Sequence, residues 1–246
     1  GHGKSLPEGG TPVYFGQGNT WNTVVDDIYV LHQRLKQRYP DVPLCIMGHS
    51  MGSFLTRTYL IRYPGTVKAA VIMGTGWQPQ AAITGGLALA NAIAAVSGEN
   101  ATSELVTELA FGSYNKLFAP NRTKVDWLSA DESNVDDYIA DPLCGADATV
   151  GLFRQMLHGI RFNQRQSHLR QMDREMPVLF VAGDKDPVGN CGKGVRQTYD
   201  AFRAAGMRDC TLKLYPGLRH EILNEKAYTA DITKNIEAWL LSRLEK

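Results

Sequence analysis

One pentapeptide, Gly-His-Ser-Met-Gly at residues 48–52, constrains the fold of this chain more strongly than any other feature. It follows a short apolar run at residues 43–47 and precedes a helical pattern at residues 53–63. A G-x-S-x-G sequence between a strand and a helix is typical of a nucleophile elbow, the sharp turn that raises a reactive serine above a sheet. The pattern therefore predicts that Ser50 is a nucleophile, the alternative being an ordinary turn serine.

The two glycines of the pentapeptide are expected to relieve crowding in this turn. The turn is so tight that the serine adopts a strained backbone conformation, and side chains at Gly48 and Gly52 would collide with their surroundings. The helix that starts after Ser50 directs its positive end at the reacting carbonyl. We therefore expect the backbone N–H of Met51 to be one donor of an oxyanion hole.

An activated serine needs a base, and the base needs an acid that orients it. Continuous apolar residues at 177–183 predict a strand buried on both faces, and Asp184 and Asp186 follow directly after it. A second run, at residues 210–215, alternates like a strand and leads to His220. The order Ser, Asp, His along the chain is that of the α/β-hydrolases.

Four segments carry a resemblance to a known family: Gly-His-Gly-Lys-Ser at 1–5, the pentapeptide at 48–52, Gly-Asp-Lys-Asp-Pro-Val-Gly at 183–189 and Tyr-Pro-Gly-Leu-Arg-His-Glu at 215–221. They resemble the monoacylglycerol lipase and lysophospholipase branch of the α/β-hydrolase superfamily, often labelled serine aminopeptidase-like, over nearly the whole chain. The resemblance implies an α/β fold, with a mostly parallel sheet flanked by helices and a helical cap. It also implies that Ser50 is the nucleophile, Asp186 the acid and His220 the base.

Each of these assignments has a competing interpretation. Asp184 lies only two residues from Asp186 and could cap the loop through its side chain, so Asp186 is chosen on the family spacing. His220 could be a satisfied surface histidine. The other histidines are interpreted as such surface residues: His2, His32, His49, His158 and His168. Of these, His2 and His49 are expected to brace loops by hydrogen bonds.

The chain departs from the family pattern at its start. The family places the Gly-His-Gly-x-Ser loop after its fourth strand, whereas here that loop is residues 1–5. We therefore expect the N-terminal strands of the fold to be missing from this chain. The second oxyanion-hole donor belongs to the loop after the third strand, so no residue here is assigned that role.

The rest of the chain alternates between helical and strand patterns with one interruption. Residues 67–73 predict a buried strand, whereas residues 78–173 contain only helical patterns and loops. We expect three parts: a first part of the hydrolase core at 1–77, a helical cap at 78–173 and a second part of the core at 174–246. Helices are predicted from Trp21 to Tyr39, from Gly194 to Ala205 and at the C-terminus, where one apolar face contains Ile232, Ile236, Trp239, Leu240 and Leu244.

Within the cap, residues 83–96 are small and apolar on nearly all sides. A buried helix is favoured over a segment that contacts an acyl chain or a membrane surface. Trp127 and Tyr138 are candidate walls of the substrate pocket, with local folding of the cap as the alternative. Acidic residues between 131 and 141 are interpreted as a solvated face rather than a cation site.

Composition fits a water-soluble enzyme. The chain has 246 residues, a formal net charge of +1 and no run of about 20 apolar residues, so we expect neither nucleic-acid binding nor a transmembrane segment. Its four cysteines lack metal-site spacing, and we expect no metal, no cofactor and a reducing, cytoplasmic location. Pairing of Cys144 with Cys191 stays open.

These features predict a serine hydrolase that cleaves carboxylic esters through an acyl-enzyme. Monoacylglycerols, lysophospholipids or short acyl esters are the expected substrates, by the resemblance and by the apolar cap. An acyltransferase or perhydrolase, or an aminopeptidase, would use the same triad. A non-catalytic binding relative is the remaining alternative.

Overall fold

A four-stranded parallel sheet forms the centre of the computed structural model, which describes residues 2–244; Gly1 of the first motif lies outside them. The strands follow one another across the sheet in chain order and are β1 (Cys45–His49), β2 (Ala69–Met73), β3 (Val178–Gly183) and β4 (Cys210–Tyr215). In this register the end of β1 lies beside the end of β2, where His49 pairs with Met73. The residues that follow the strands therefore meet at one edge of the sheet.

Helices connect the strands, and the described segment between β2 and β3 consists of helices and loops with no strand of the sheet. In the described part of the chain they are α1 (Thr20–Arg38), α2 (Met51–Arg62), α3 (Gln80–Ser97), α4 (Glu104–Phe111), α5 (Glu132–Ala140), α6 (Val150–Asn163), α7 (Gln166–Leu169), α8 (Lys193–Ala204) and α9 (Thr229–Leu244). Short 3-10 turns occur at Gly3–Ser5, Asn115–Phe118 and Asp126–Leu128. The predicted α/β architecture is confirmed, whereas the division into core and cap parts stays a prediction.

The sheet separates two apolar clusters because successive side chains of a strand point to opposite faces. Ile72 and Phe180 pack into the larger cluster with α1, α2, α6 and α8. Val71 and Val181 pack into the smaller cluster under α9. β2 and β3 are buried on both faces, as their continuous apolar sequences predict.

The closing helix buries the face that its spacing predicts. Ile232, Ile236 and Trp239 of α9 are buried in the smaller cluster, and Leu240 packs against it. Trp239 also donates a hydrogen bond from Nε1 to Oγ1 of Thr211 on β4, 3.0 Å away. The cluster holds the helix against β2 and β3, and the hydrogen bond ties it to β4, the strand that leads to the predicted base.

The expected apolar stripe of α1 is only partly buried. Val25 is fully buried, but Leu31 and Leu35 are exposed. No described element covers this side of α1, and β1 beside it forms the edge of the described sheet.

The prediction of a buried helix at residues 83–96 is wrong. In α3 only Ile83, Leu87 and Ala90 are buried, and they pack towards α6. The outer face is small, apolar and exposed, and Val96 at its end is 89% exposed. In the described part of the chain, α3 alone has the length and composition of a membrane-spanning helix, and only 17% of it is buried. Composition misled here because alanine and glycine are tolerated equally well on a surface and in a core.

Candidate active site

The turn between β1 and α2 has the strained geometry of an elbow. Ser50 has φ 55° and ψ −122°, in a region that non-glycine residues rarely adopt. Its backbone N–H donates to the carbonyl of Met73, 3.1 Å away on β2, and its own carbonyl accepts from Ser53 Oγ at 2.6 Å. Both bonds hold the strained residue between the sheet and the helix.

Met51 is the first residue of α2. The first N–H groups of a helix have no intrahelical acceptor and carry the positive end of the helix dipole. The N–H of Met51 therefore lies where an oxyanion-hole donor next to Ser50 is expected.

The two glycines of the elbow differ in how closely they are packed. A Cβ on Gly48 would lie 2.2 Å from the carbonyl oxygen of Gly52 and 2.3 Å from Oγ1 of Thr56. A Cβ on Gly52 would meet nothing within 4 Å. The expected crowding is therefore found at Gly48 only, because Gly52 faces open space at the start of α2.

Gly48→Ala is expected to destabilise the protein by about 1–3 kcal/mol, since the added methyl collides with backbone that cannot move away. Gly52→Ala is the matched control and should be neutral or stabilising by up to about 1 kcal/mol, as alanine favours helix. Urea unfolding followed by circular dichroism measures both. Equal destabilisation by the two variants would contradict this account of the elbow.

The predicted acid and base form a buried pair. Nδ1 of His220 lies 3.0 Å from Oδ2 and 3.1 Å from Oδ1 of Asp186. Both side chains are almost completely buried. Because Nδ1 faces a carboxylate, it carries the proton in the neutral ring, which leaves Nε2 as an acceptor.

The loop after β3 holds Asp186 and Asp184 in different roles. Oδ1 of Asp186 accepts from the N–H of Val188 at 2.9 Å in addition to its contact with His220. Asp184 instead accepts from the N–H of Gly217 at 2.8 Å. The structure thus places Asp186 against the histidine, whereas Asp184 braces the loop between β4 and His220.

His220 lies at the same end of the sheet as the elbow. A Cβ on Gly74, the residue after β2, would be 3.2 Å from Cε1 of His220. The preceding residue, Met73, accepts the hydrogen bond from Ser50. The described residues form no hydrogen bond between the Ser50 hydroxyl and His220, as is common before a substrate is bound.

His49 connects the elbow to the base. Its Nε2 donates to the backbone carbonyl of His220 at 3.0 Å, and the two ring centroids are 4.6 Å apart. Burial and the neighbouring His220 lower the pKa of His49. The ring is therefore neutral near pH 7 and does not place a positive charge beside the base.

Aromatic side chains of the segment between β2 and β3 cover His220. The ring of Trp127 lies 5.2 Å from that of His220, and Phe111 and Tyr114 pack against the indole. Burial and the charge of Asp186 raise the pKa of Tyr114 to about 12. Tyr114 is thus close to the buried pair, although no sequence pattern singled it out.

The second candidate pocket wall, Tyr138, lies further along the same segment, in α5. It lies beside Gly145, and burial raises its pKa. Among the described residues it makes no ring contact with His220. Trp127 therefore contacts the site directly, and the role of Tyr138 stays a prediction.

The acidic residues between 131 and 141 are paired with neighbours. Asp131 caps α5 through the N–H of Ser133. Asp136 pairs with Arg122 at 2.6 Å and Asp137 with Lys226 at 3.2 Å. In the described part of the chain no cluster of three His, Cys, Asp or Glu could hold a metal ion.

The four cysteines are free thiols, so Cys144 and Cys191 do not pair.

The sheet is parallel with helices on both faces, the elbow follows β1, and the buried Asp–His pair follows β3 and β4. These features define the class of this protein as α/β-hydrolase. The fold superposes on the carboxyl esterase of Bacillus coagulans with a TM-score of 0.90 at 24% identity, covering 98% of this chain and 77% of that one. Residues 1–227 match the family described as serine aminopeptidase, S33, and the chain belongs to this family, in its monoacylglycerol lipase-like branch.

Two relatives show how far the similarity extends. A monoacylglycerol lipase of Mycolicibacterium smegmatis is 30% identical over 249 residues, covering 99% of this chain and 76% of the relative. A monoglyceride lipase of Mus musculus is 26% identical over 251 residues, covering 99% of this chain and 71% of the relative. The resemblance read from the four motifs is confirmed.

Proposed function

We propose that this protein is a serine hydrolase that cleaves carboxylic esters of lipid-like substrates through an acyl-enzyme. The observation that carries the proposal is the buried pair of Asp186 and His220 at the sheet edge where Ser50 forms the strained elbow. Monoacylglycerols, lysophospholipids or short acyl esters are the proposed substrates.

Acylation begins when Oγ of Ser50 attacks the ester carbonyl and Nε2 of His220 takes the hydroxyl proton. Asp186 holds the ring through Nδ1 and stabilises the imidazolium. The N–H of Met51 binds the negative oxygen of the tetrahedral intermediate. When the intermediate collapses, the ester C–O bond breaks and the leaving alcohol takes the proton from His220.

Deacylation repeats these steps with water. His220 takes a proton from the water as it attacks the acyl carbonyl, and the bond to Ser50 breaks. The proton returns to Ser50 and the carboxylic acid leaves. An acyltransferase or perhydrolase would differ only in the nucleophile of this second half, an alcohol or a peroxide in place of water.

The cap supports an apolar substrate. Trp127, Phe111 and Tyr114 present rings next to His220, and α3 brings an uncharged helix to the same cap. An acyl chain gains roughly 0.8 kcal/mol for each CH₂ that it buries against such a surface. Relatives named monoacylglycerol lipase support the same substrate class.

The family description raises aminopeptidase activity as a second candidate. An aminopeptidase needs a free carboxylate near the base to bind the substrate ammonium group. Near His220, Glu225 accepts two backbone N–H groups and Glu221 accepts from Asn134 and Asn224. Because both carboxylates are already engaged, ester hydrolysis is the favoured activity.

A p-nitrophenyl ester series of increasing acyl length tests this proposal, with monoacylglycerol as a second substrate. We expect hydrolysis of the esters, with kcat/KM rising with chain length as the acyl group reaches the cap. Aminoacyl p-nitroanilides serve as the matched amide series and should be poor substrates. Faster cleavage of the anilides than of the esters would favour the peptidase instead.

A further inference from the structure

The segment that contains the proposed base is attached to one loop of the cap at several points. We define the cap loop as residues 126–131 and the base segment as residues 219–226. Backbone N–H of Glu221 donates to the carbonyl of Leu128 at 2.8 Å, directly after His220 in the chain. The two segments therefore cannot move apart without breaking backbone contacts next to the base.

Arg219 holds the cap loop from one side. Its Nη1 donates to the carbonyl of Asp126, and to that of Ser129 at 3.0 Å. The guanidinium carbon lies 4.0 Å from the ring centroid of Phe118, which limits its rotation. Two carbonyls on either side of Trp127 and Leu128 are thus tied to one side chain.

Glu225 holds the same loop from the other side. Only 2% of the residue is exposed, and its two carboxylate oxygens accept from the N–H groups of Ala130 at 2.8 Å and Asp131 at 3.0 Å. Hydrogen bonds to an ionised group are stronger than neutral ones. A buried carboxylate of this kind keeps the loop at a defined distance from the base segment.

Between these two attachments lies Trp127, with its ring against His220. We propose that Arg219 and Glu225 are positioning residues of the catalytic site, which hold Trp127 on the His220 ring and so keep the imidazole against Asp186 and away from water. This positioning role of Arg219 and Glu225 rests on the proposed function of the protein as a serine ester hydrolase. Three successive residues, 219–221, contact the cap loop through a side chain, a ring and a backbone N–H, so the position of the loop controls the position of the base.

Enzyme kinetics provide the first test. In Arg219→Met and Glu225→Gln, kcat for a p-nitrophenyl ester should fall about 10- to 100-fold with KM changed less than about threefold, because a misplaced base costs rate rather than binding. Arg219→Lys should recover part of the loss. Lys226→Met is the control, since the Lys226 side chain bonds to Ser133 and Asp137 outside the cap loop.

Tryptophan fluorescence provides a second test that needs no activity. A protonated imidazole quenches a neighbouring indole, so lowering the pH should quench Trp127, measured as the difference from Trp127→Phe. Arg219→Met and Glu225→Gln should weaken this quenching. The titratable groups that face His220 are Asp186, His49, Glu221 and Tyr114. His49 is the other imidazole beside His220, so the quenching should persist in His49→Gln.

Wild-type kcat and wild-type quenching in both variants would overturn the proposal, as would a lower melting temperature with kcat unchanged. Loss of the quenching in His49→Gln would also contradict it. If Arg219→Met fails to fold, Arg219→Lys and Glu225→Gln decide the same question. A wild-type protein that shows the quenching but no esterase activity would refute the proposed function and leave the Trp127 contact in place.

Discussion

Ser50→Ala is expected to abolish ester hydrolysis, with kcat falling by a factor on the order of 10⁶. The alanine side chain cannot attack a carbonyl, so neither the acyl-enzyme nor its hydrolysis takes place. The elbow itself should survive, since the backbone bonds of residue 50 to Met73 and Ser53 do not involve the hydroxyl. Rates are measured with a p-nitrophenyl ester under saturating conditions.

Covalent labelling tests the assignment of Ser50 as the nucleophile independently of enzyme rates. A fluorophosphonate probe should label the wild-type protein on Ser50 and leave Ser50→Ala unlabelled. Ser97→Ala, at the exposed end of α3, is the matched control and should behave like wild type. Persistent labelling of Ser50→Ala would show that another residue is the nucleophile.

Asp186→Asn is expected to lower kcat by about 10⁴, the effect known for the equivalent change in a serine protease. An asparagine amide facing Nδ1 of His220 donates a hydrogen bond where the carboxylate accepts one. The ring then carries its proton on Nε2 and cannot take the proton of Ser50. The variant should still fold, because the asparagine oxygen can accept from the N–H of Val188.

Asp184→Asn is the matched control two residues away. The amide oxygen can keep the hydrogen bond from the N–H of Gly217, so kcat should stay within about threefold of wild type. The ratio of the two effects is the informative quantity. A larger loss of kcat in Asp184→Asn than in Asp186→Asn would show that Asp186 is not the acid.

Local sequence was sufficient to locate the strands of the sheet. β4 has the bounds predicted from its alternating side chains, and β3 begins one residue later than its continuous apolar run predicts. The same holds for the helix from Lys193 to Ala204, predicted one residue later at both ends. The spacing of apolar residues within one segment is therefore enough to place these strands and this helix.

Burial of individual faces was less predictable. The small residues of α3 fit a core and a surface equally well, and Leu31 of α1 continues an apolar spacing into solvent. Gly52 lies in the motif but has free space around its Cα. In each case, whether the residue is buried depends on which element packs opposite it, and the residues of that element are distant in the chain.

The sequence by itself determined the class of fold, the order of the candidate triad along the chain and the turn at Ser50, since each follows from residue types within short segments. Only the tertiary structure decided which aspartate meets His220, and that Trp127, Tyr114 and His49 surround it. His49 and His220 are separated by 171 positions. Contacts of this kind arise because parallel strands bring the ends of distant segments to one edge of the sheet, and no local pattern records which side chains then face each other.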